Sequence, residues 1–187
     1  MNWYLDTNPQ QLDIDEALVR VSEQRRNYAL RYQRKRDQQL CLSAWLLLEK
    51  ALREEFGIEE VPPFYYTDTG KPLLRGHDDI HFSLSHCDEA VACAVSRHPV
   101  GIDIETFTHY DPSLLPLTMS DDEQQQILAA PRAEVEFTRL WTMKESLLKL
   151  TGEGMKQPLT SVLSDVTAYR FQTIVTSRFV CTICKND

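Results

Sequence analysis

Glycine and proline are scarce, 6 and 9 in 187 residues, which excludes collagen-like and low-complexity architectures. Apolar runs such as Leu46-Leu47-Leu48 fall far short of the roughly 20 residues that a membrane-crossing helix needs. Positive charge is in deficit: 20 Lys and Arg against 28 Asp and Glu leave a net charge of −8. A chain so acidic is ill-suited to a broad, salt-driven grip on nucleic-acid phosphates, so any polyanionic partner must meet a local basic patch. Cysteine comes in an odd number, 5, in a chain large enough to build its own core. A disulfide framework is therefore not expected, and a reducing cytoplasm is. The first residues carry neither a basic nor an apolar stretch of the secretory kind, so no signal peptide is expected. Also missing are a Walker loop, G-x-G-x-x-G, H-E-x-x-H and G-x-S-x-G.

What is present is a folded composition, 42% hydrophobic and 26% charged, with the length of about one domain. Asp13 can cap a helix with the stripe Ile14, Leu18 and Val21. A second helix is expected from about Gln38 to Phe56, with Gly57 in the left-handed position that ends it. Between the two lies the chain's one basic concentration, Arg20, Arg25, Arg26, Arg31, Arg34, Lys35 and Arg36, which reads either as a solvated face or as a phosphate contact. The prolines of Val61–Tyr66 mark a short edge strand. His81–His86, Ala90–Ser96 and Val100–Glu105 read as strands, the last with Ile102 and Ile104 inward and Asp103 and Glu105 sharing the other face. The segment 106–118 lacks periodicity and reads as a loop. Ser120 and Glu123 have capping-box spacing, and Pro131 suits the first turn of a helix that runs to Thr151 and stops at Gly152. Two closing strands follow, around Tyr169–Thr176 and Arg178–Cys184. Val91–Val95 is faintly echoed by Val180–Cys184, a hint of two similar α+β halves. Cys181 and Cys184 have zinc-pair spacing, but positions three apart on a strand point to opposite faces and no second pair accompanies them.

Two carboxylates projecting together from one strand, Asp103 and Glu105, are costly unless a cation or a proton separates their charges. Hard oxygen ligands suit magnesium, though two solvated acids at a strand end give the same pattern. On the last long helix Leu140, Met143, Leu147 and Leu150 form an inward face, with Glu145 and Lys149 opposite, one turn apart, flanked by Trp141 and Leu148. A surface ion pair explains the first two; the large apolar neighbours point to a cavity wall or a second packing surface. Lys71, Ser85 and His86 supply ammonium, hydroxyl and imidazole donors. Together these are cations and donors for phosphates, and acids for a metal.

Four ordered blocks, Gly70-Lys-Pro72, Phe82-Ser-Leu-Ser-His86, Gly101-Ile-Asp-Ile-Glu105 and Trp141-Thr-Met-Lys-Glu-Ser-Leu-Leu-Lys-Leu-Thr-Gly-Glu-Gly154, resemble the Sfp-type 4′-phosphopantetheinyl transferase family. The last block matches the family pattern W-x-x-K-E-x-x-x-K-x-x-G-x-G at every fixed position. The resemblance implies an α+β fold, a pseudo-twofold pair of lobes (1–103 and 104–187) with coenzyme A in the cleft between them, in a protein expected to be monomeric. It implies magnesium-dependent transfer of the phosphopantetheine arm to a serine of an acyl or peptidyl carrier protein, with release of 3′,5′-ADP and with no nucleic-acid or membrane partner. It assigns the metal to Asp103, Glu105 and Glu145, the serine proton to Glu145, and the departing phosphate to Lys149. It gives Arg25, Lys71, Ser85, His86, Lys144 and Lys149 to coenzyme A. Relatives often carry two basic residues near the 3′-phosphate; Arg25 fits one position and Tyr28 stands at the other. A metal-dependent nuclease and a non-catalytic coenzyme A-binding module remain as alternatives; the acidic charge opposes the first, and the presence of both Glu145 and Lys149 the second.

Overall fold

A computed structural model describes residues 2–107, 110–154 and 157–187. The fold is α+β, built from two three-stranded antiparallel sheets, each backed by one long helix. The first sheet joins β1 (Asn2–Asp6), β5 (Val91–Ser96) and β4 (His81–His86), with β5 in the centre. The second joins β6 (Val100–Thr106), β8 (Phe179–Asn186) and β7 (Tyr169–Val175), with β8 in the centre. The hairpin of β2 (Phe64–Tyr66) and β3 (Pro72–Leu74) stands apart.

Period-2 patterning decides which face each strand buries. Cys93 and Val95 of β5 and Phe82 of β4 meet Leu48, Ala51 and Leu52 of α3 (Lys35–Phe56). The alternate residues Ala92 and Ala94 join Ile102 and Ile104 of β6 and Cys181 and Ile183 of β8 in one apolar core shared by the two sheets. The remaining face of the second sheet, through Phe171 and Cys184, receives Leu147 and Leu150 of α6 (Ala133–Thr151). Burying a Leu or Ile side chain contributes about 1.5–3 kcal/mol, so these contacts fix the order of layers. Cys181 and Cys184 do lie in different cores, and all five cysteines are buried free thiols.

β4 and β6 are both edge strands and do not pair with each other. Serine hydroxyls join them instead: Ser83 Oγ accepts from Ile102 N at 3.0 Å, and Ser85 Oγ from Ile104 N at 3.3 Å. An edge amide buried without such a partner would cost about 1–3 kcal/mol.

The N-terminal half carries α1 (Ile14–Arg20), capped by the Asp13 side chain, and α2 (Glu23–Ala29), capped by Ser22. The long helix α3 begins at Lys35, three residues before its sequence expectation, and ends on Gly57 at φ 68°. In the other half, α5 (Asp121–Ala129) opens with the expected capping box of Ser120 and Glu123, and α6 stops at Gly152 at φ 66°.

Several expectations are corrected. The segment 106–118 contains a 3-10 turn at Pro112–Leu114 and a short helix, α4 (Leu115–Thr118), with residues 108 and 109 outside the described set. Leu115 buries against Phe137 and Leu140, a long-range contact that periodicity cannot reveal. Pro131 precedes α6, whose cap is Arg132. β6 belongs wholly to the ladder with β8, so the two sheets divide between Ser96 and Val100. β1 and β3 carry no local signal of their own and are fixed by pairing with β5 and β2.

Candidate active site

The site lies where β6 meets α6. Alternation turns Gly101, Asp103 and Glu105 to one side of β6, and the missing side chain of Gly101 lets the helix come close. A Cβ built there would sit 2.7 Å from Leu150 N and closer still to the Ser146 carbonyl. The helix is anchored in register by Thr142, whose hydroxyl lies 2.8 Å from that of Thr182 on β8. Glu145 and Lys149 consequently border the β6 carboxylates rather than an open solvated face.

Asp103 is only 3% exposed. Its Oδ1 accepts from Lys149 Nζ at 2.6 Å and from Ser85 Oγ at 2.8 Å. Its Oδ2 is buried and has no hydrogen-bond partner among the described residues. Charge is crowded around it. Burial, then the Asp103 charge, with a further contribution from Glu145, push the Glu105 carboxyl up to about 7, against the pull of Lys149. Burial and Asp103 likewise raise Glu145, again opposed by Lys149. Two carboxyls raised by burial and by the Asp103 charge, beside a buried Asp103 carboxylate with one bare oxygen, are the oxygen-donor chemistry that a hard divalent cation takes. Among the described residues, no group of three or more His, Cys, Asp and Glu is gathered closely enough to hold one in this arrangement. The Lys149 ammonium is the positive charge that Asp103 meets here.

A cavity of about 510 Å³ adjoins the site, and both halves of the chain line it: Arg25, Tyr66, Lys71 and Leu84 from one, Glu145, Leu148, Lys149 and Gly152 from the other. A second cavity, of about 300 Å³, is walled by Glu105, Phe137 and Trp141. Leu148 and Trp141, too large and apolar for a solvated face, thus line separate cavities.

The donors expected at the phosphates fare differently. Arg25 stacks between Tyr28 and Trp45, 5.1 and 4.9 Å from the ring centroids, and its Nη2 donates to Cys41 O at 2.6 Å. Its buried Nε has no partner among the described residues, nor has the buried Nη1 of Arg36. The His86 imidazole is held below its ordinary range by desolvation, then by the positive charge of Lys149, with Arg25 and Arg36 adding and Asp37 opposing. Arg36 thus joins this positive cluster, and sequence reasoning noted it only as one basic residue among seven. Lys71 lines the cavity, but its Nζ donates to Leu150 O at 2.6 Å at the end of α6; burial lowers its pKa. The neighbouring Thr69 hydroxyl donates to Gly152 O, so the β2–β3 turn is fastened to the last turn of α6.

Two residues expected at coenzyme A have other partners here. Lys144 is fully buried and faces away from the cavity; its Nζ donates to Glu123 Oε2 at 2.8 Å and to Leu159 O at 2.7 Å. One residue of α6 separates it from Glu145, and the helical turn of about 100° sends it to a different neighbour. Ser85 is also buried, and its hydroxyl is committed to Asp103 and Ile104 rather than to the cavity.

Comparison with known proteins follows the same geography. The 4′-phosphopantetheinyl transferase superfamily model matches residues 99–187, from the start of β6 to the end of the described chain. The chain is 34% identical to the 4′-phosphopantetheinyl transferase psf-1 of Bacillus pumilus over 160 residues, covering 84% of this chain and 69% of that protein. It is 36% identical to the 4′-phosphopantetheinyl transferase gsp of Aneurinibacillus migulanus over 148 residues, 78% of this chain and 62% of that protein. With the 4′-phosphopantetheinyl transferase Sfp of Bacillus subtilis (strain 168) the identity is 29% over 161 residues, 84% of this chain and 72% of that protein.

Proposed function

The chain belongs to the 4′-phosphopantetheinyl transferase family of enzymes, and on that premise we propose that it moves the phosphopantetheine arm of coenzyme A onto a serine hydroxyl of an acyl or peptidyl carrier protein, with release of 3′,5′-ADP. The observation that carries this reading is the buried Asp103 carboxylate, with Lys149 on one oxygen and the other bare, beside a cavity lined by Arg25, Lys71 and Lys149.

Asp103, Glu105 and Glu145 are the residues that would hold magnesium. The unpartnered Oδ2 of Asp103, and the Asp103 charge felt by both Glu105 and Glu145, support that fit. When bound, the ion supplies charge neutralisation at the pyrophosphate oxygens.

The chain's own residues do the rest. Lys149 lines the cavity and brings an ammonium to the position where negative charge grows on the leaving phosphate. Lys71, from the turn that abuts the end of α6, offers a second cation to the nucleotide phosphates. Arg25 and Arg36 form a positive pair with unspent guanidinium donors, and their charge, with that of Lys149, favours the neutral, donor-capable form of the neighbouring His86; the group suits a further phosphate. Glu145 lines the same cavity and accepts the proton of the incoming serine. The two helix-backed sheets are read as the two lobes, with coenzyme A between them. Five unpaired buried thiols support a reducing cytoplasm, and no helix among the described residues is long and apolar enough to cross a membrane.

Incubation with coenzyme A, magnesium and a panel of apo carrier proteins, followed by intact mass, tests the reading. A carrier that gains one phosphopantetheine group supports it. A panel left unchanged, together with heat protection by duplex DNA and none by coenzyme A, overturns it.

A further inference from the structure

Asp103 is held asymmetrically. Both of its hydrogen bonds fall on Oδ1, from Ser85 Oγ at 2.8 Å and from Lys149 Nζ at 2.6 Å, and Oδ2 receives none. The Ser85 hydroxyl has no freedom to serve elsewhere. It accepts the Ile104 amide, so its single proton is the one given to the carboxylate. Ser85 and Asp103 stand on β4 and β6, the two edge strands that serines join, so the bond spans the junction between the sheets.

A carboxylate on a strand can rotate about its last torsion, which is broad and roughly two-fold. Fixing one oxygen fixes where the other points. We propose that Ser85 is a positioning residue for the metal: by holding Oδ1 from the opposite sheet it presents Oδ2 as a single, preset ligand oxygen. This rests on the divalent-cation site just described. It removes Ser85 from the nucleotide contacts and gives it a role exercised through Asp103. Groups that orient a ligand are worth about 10–100-fold in metal affinity.

The chain contains its own control. Ser83, two residues earlier on the same face of β4, makes the equivalent hydroxyl–amide bond, to Ile102 N at 3.0 Å, and no carboxylate receives its proton among the described residues. A role in joining the sheets belongs to both serines; a role toward the metal belongs to Ser85 alone.

The test is manganese binding to the full chain with coenzyme A present, followed by electron paramagnetic resonance and with coenzyme A alone as the blank. Wild type is compared with Ser85→Ala, Ser85→Thr, Ser83→Ala and Asp103→Asn, each first shown to be folded by its melting curve. Ser85→Ala weakens manganese binding by about 10–100-fold. Ser85→Thr, which keeps a hydroxyl, recovers most of that loss, and Ser83→Ala retains the wild-type constant. In transfer assays Ser85→Ala raises the magnesium concentration for half-maximal rate while kcat at saturating magnesium stays near wild type. Equal losses in Ser83→Ala and Ser85→Ala, or none in Ser85→Ala while Asp103→Asn loses the metal, overturn the positioning role and leave the metal site standing. Equal manganese binding by wild type and Asp103→Asn overturns the metal site, and the positioning role with it.

Discussion

Lys149 Nζ lies 2.6 Å from Asp103 Oδ1, joining α6 to β6 across 46 residues of sequence. One partner is nearly buried and the other partly open, the side chains being 4% and 31% exposed. The pair couples stability to the site. In metal-free protein a double-mutant cycle of Lys149→Met and Asp103→Asn should return a favourable coupling of about 1.5–3 kcal/mol, the range for hydrogen bonds to charged groups. Urea unfolding of the four proteins measures it. A coupling near zero would mean that the contact does not persist in solution.

The approach of helix to strand at Gly101 gives a sharper stability prediction. Gly101→Ala drives a methyl group into the α6 backbone at Ser146 and Leu150, and backbone cannot rotate away. A cost of about 3 kcal/mol or more is expected, at or beyond the upper end for overpacked cores. Gly57→Ala is the comparison, because there φ is 68°, unfavourable for alanine, while nothing lies within 4 Å of the new Cβ. Its cost should stay near 1–2 kcal/mol, the left-handed penalty alone. Melting curves that rank the two variants the other way would contradict the packing described.

Much of this geometry was legible beforehand, and the boundary of legibility is physical. The helix-ending glycines at 57 and 152, the capping box at Ser120 and the alternation of β4 and β6 are local signals, and the structure follows them. The W-x-x-K-E block marked the helix that carries Glu145 and Lys149. It could not tell that Lys144 turns to Glu123, 21 residues earlier, or that Ser85 turns to Asp103, 18 residues later. Those choices depend on which elements pack together, and so does β1, whose five residues become a strand through pairing with β5.

Lys144 therefore yields a prediction that separates structure from chemistry. Lys144→Met leaves Glu123 without the ammonium it faces, and losing one member of a buried pair typically costs about 3–5 kcal/mol. Coenzyme A affinity of the protein that remains folded should hardly change at low temperature. Lys71→Met should do the reverse, weakening coenzyme A binding with a smaller effect on melting. Calorimetry and melting curves on both variants decide the matter. A large loss of coenzyme A affinity in Lys144→Met would restore that residue to the site.

Glu105 contributes a distinct pH response to the metal-free protein. Burial and the Asp103 charge raise its folded-state value to about 7, above the unfolded carboxyl near 4.5. The folded state therefore binds the proton more tightly. The contribution to stability is fully present below about pH 4.5 and is lost as pH rises through about 7. In EDTA, wild type relative to Glu105→Gln should lose on the order of 1–3 kcal/mol over that window. Parallel stability profiles for the two proteins would refute the crowding of acids around Asp103.

The central claim is that the carboxylates where β6 meets α6 carry a metal-dependent transfer, and single-turnover transfer of phosphopantetheine to an apo carrier, read by intact mass at saturating coenzyme A with magnesium varied, tests it most directly. Wild type should require the metal and stop in excess EDTA, while Asp103→Asn, still folded by its melting curve, should fail at every magnesium concentration. Undiminished transfer by Asp103→Asn, or full wild-type activity in EDTA, would contradict the account.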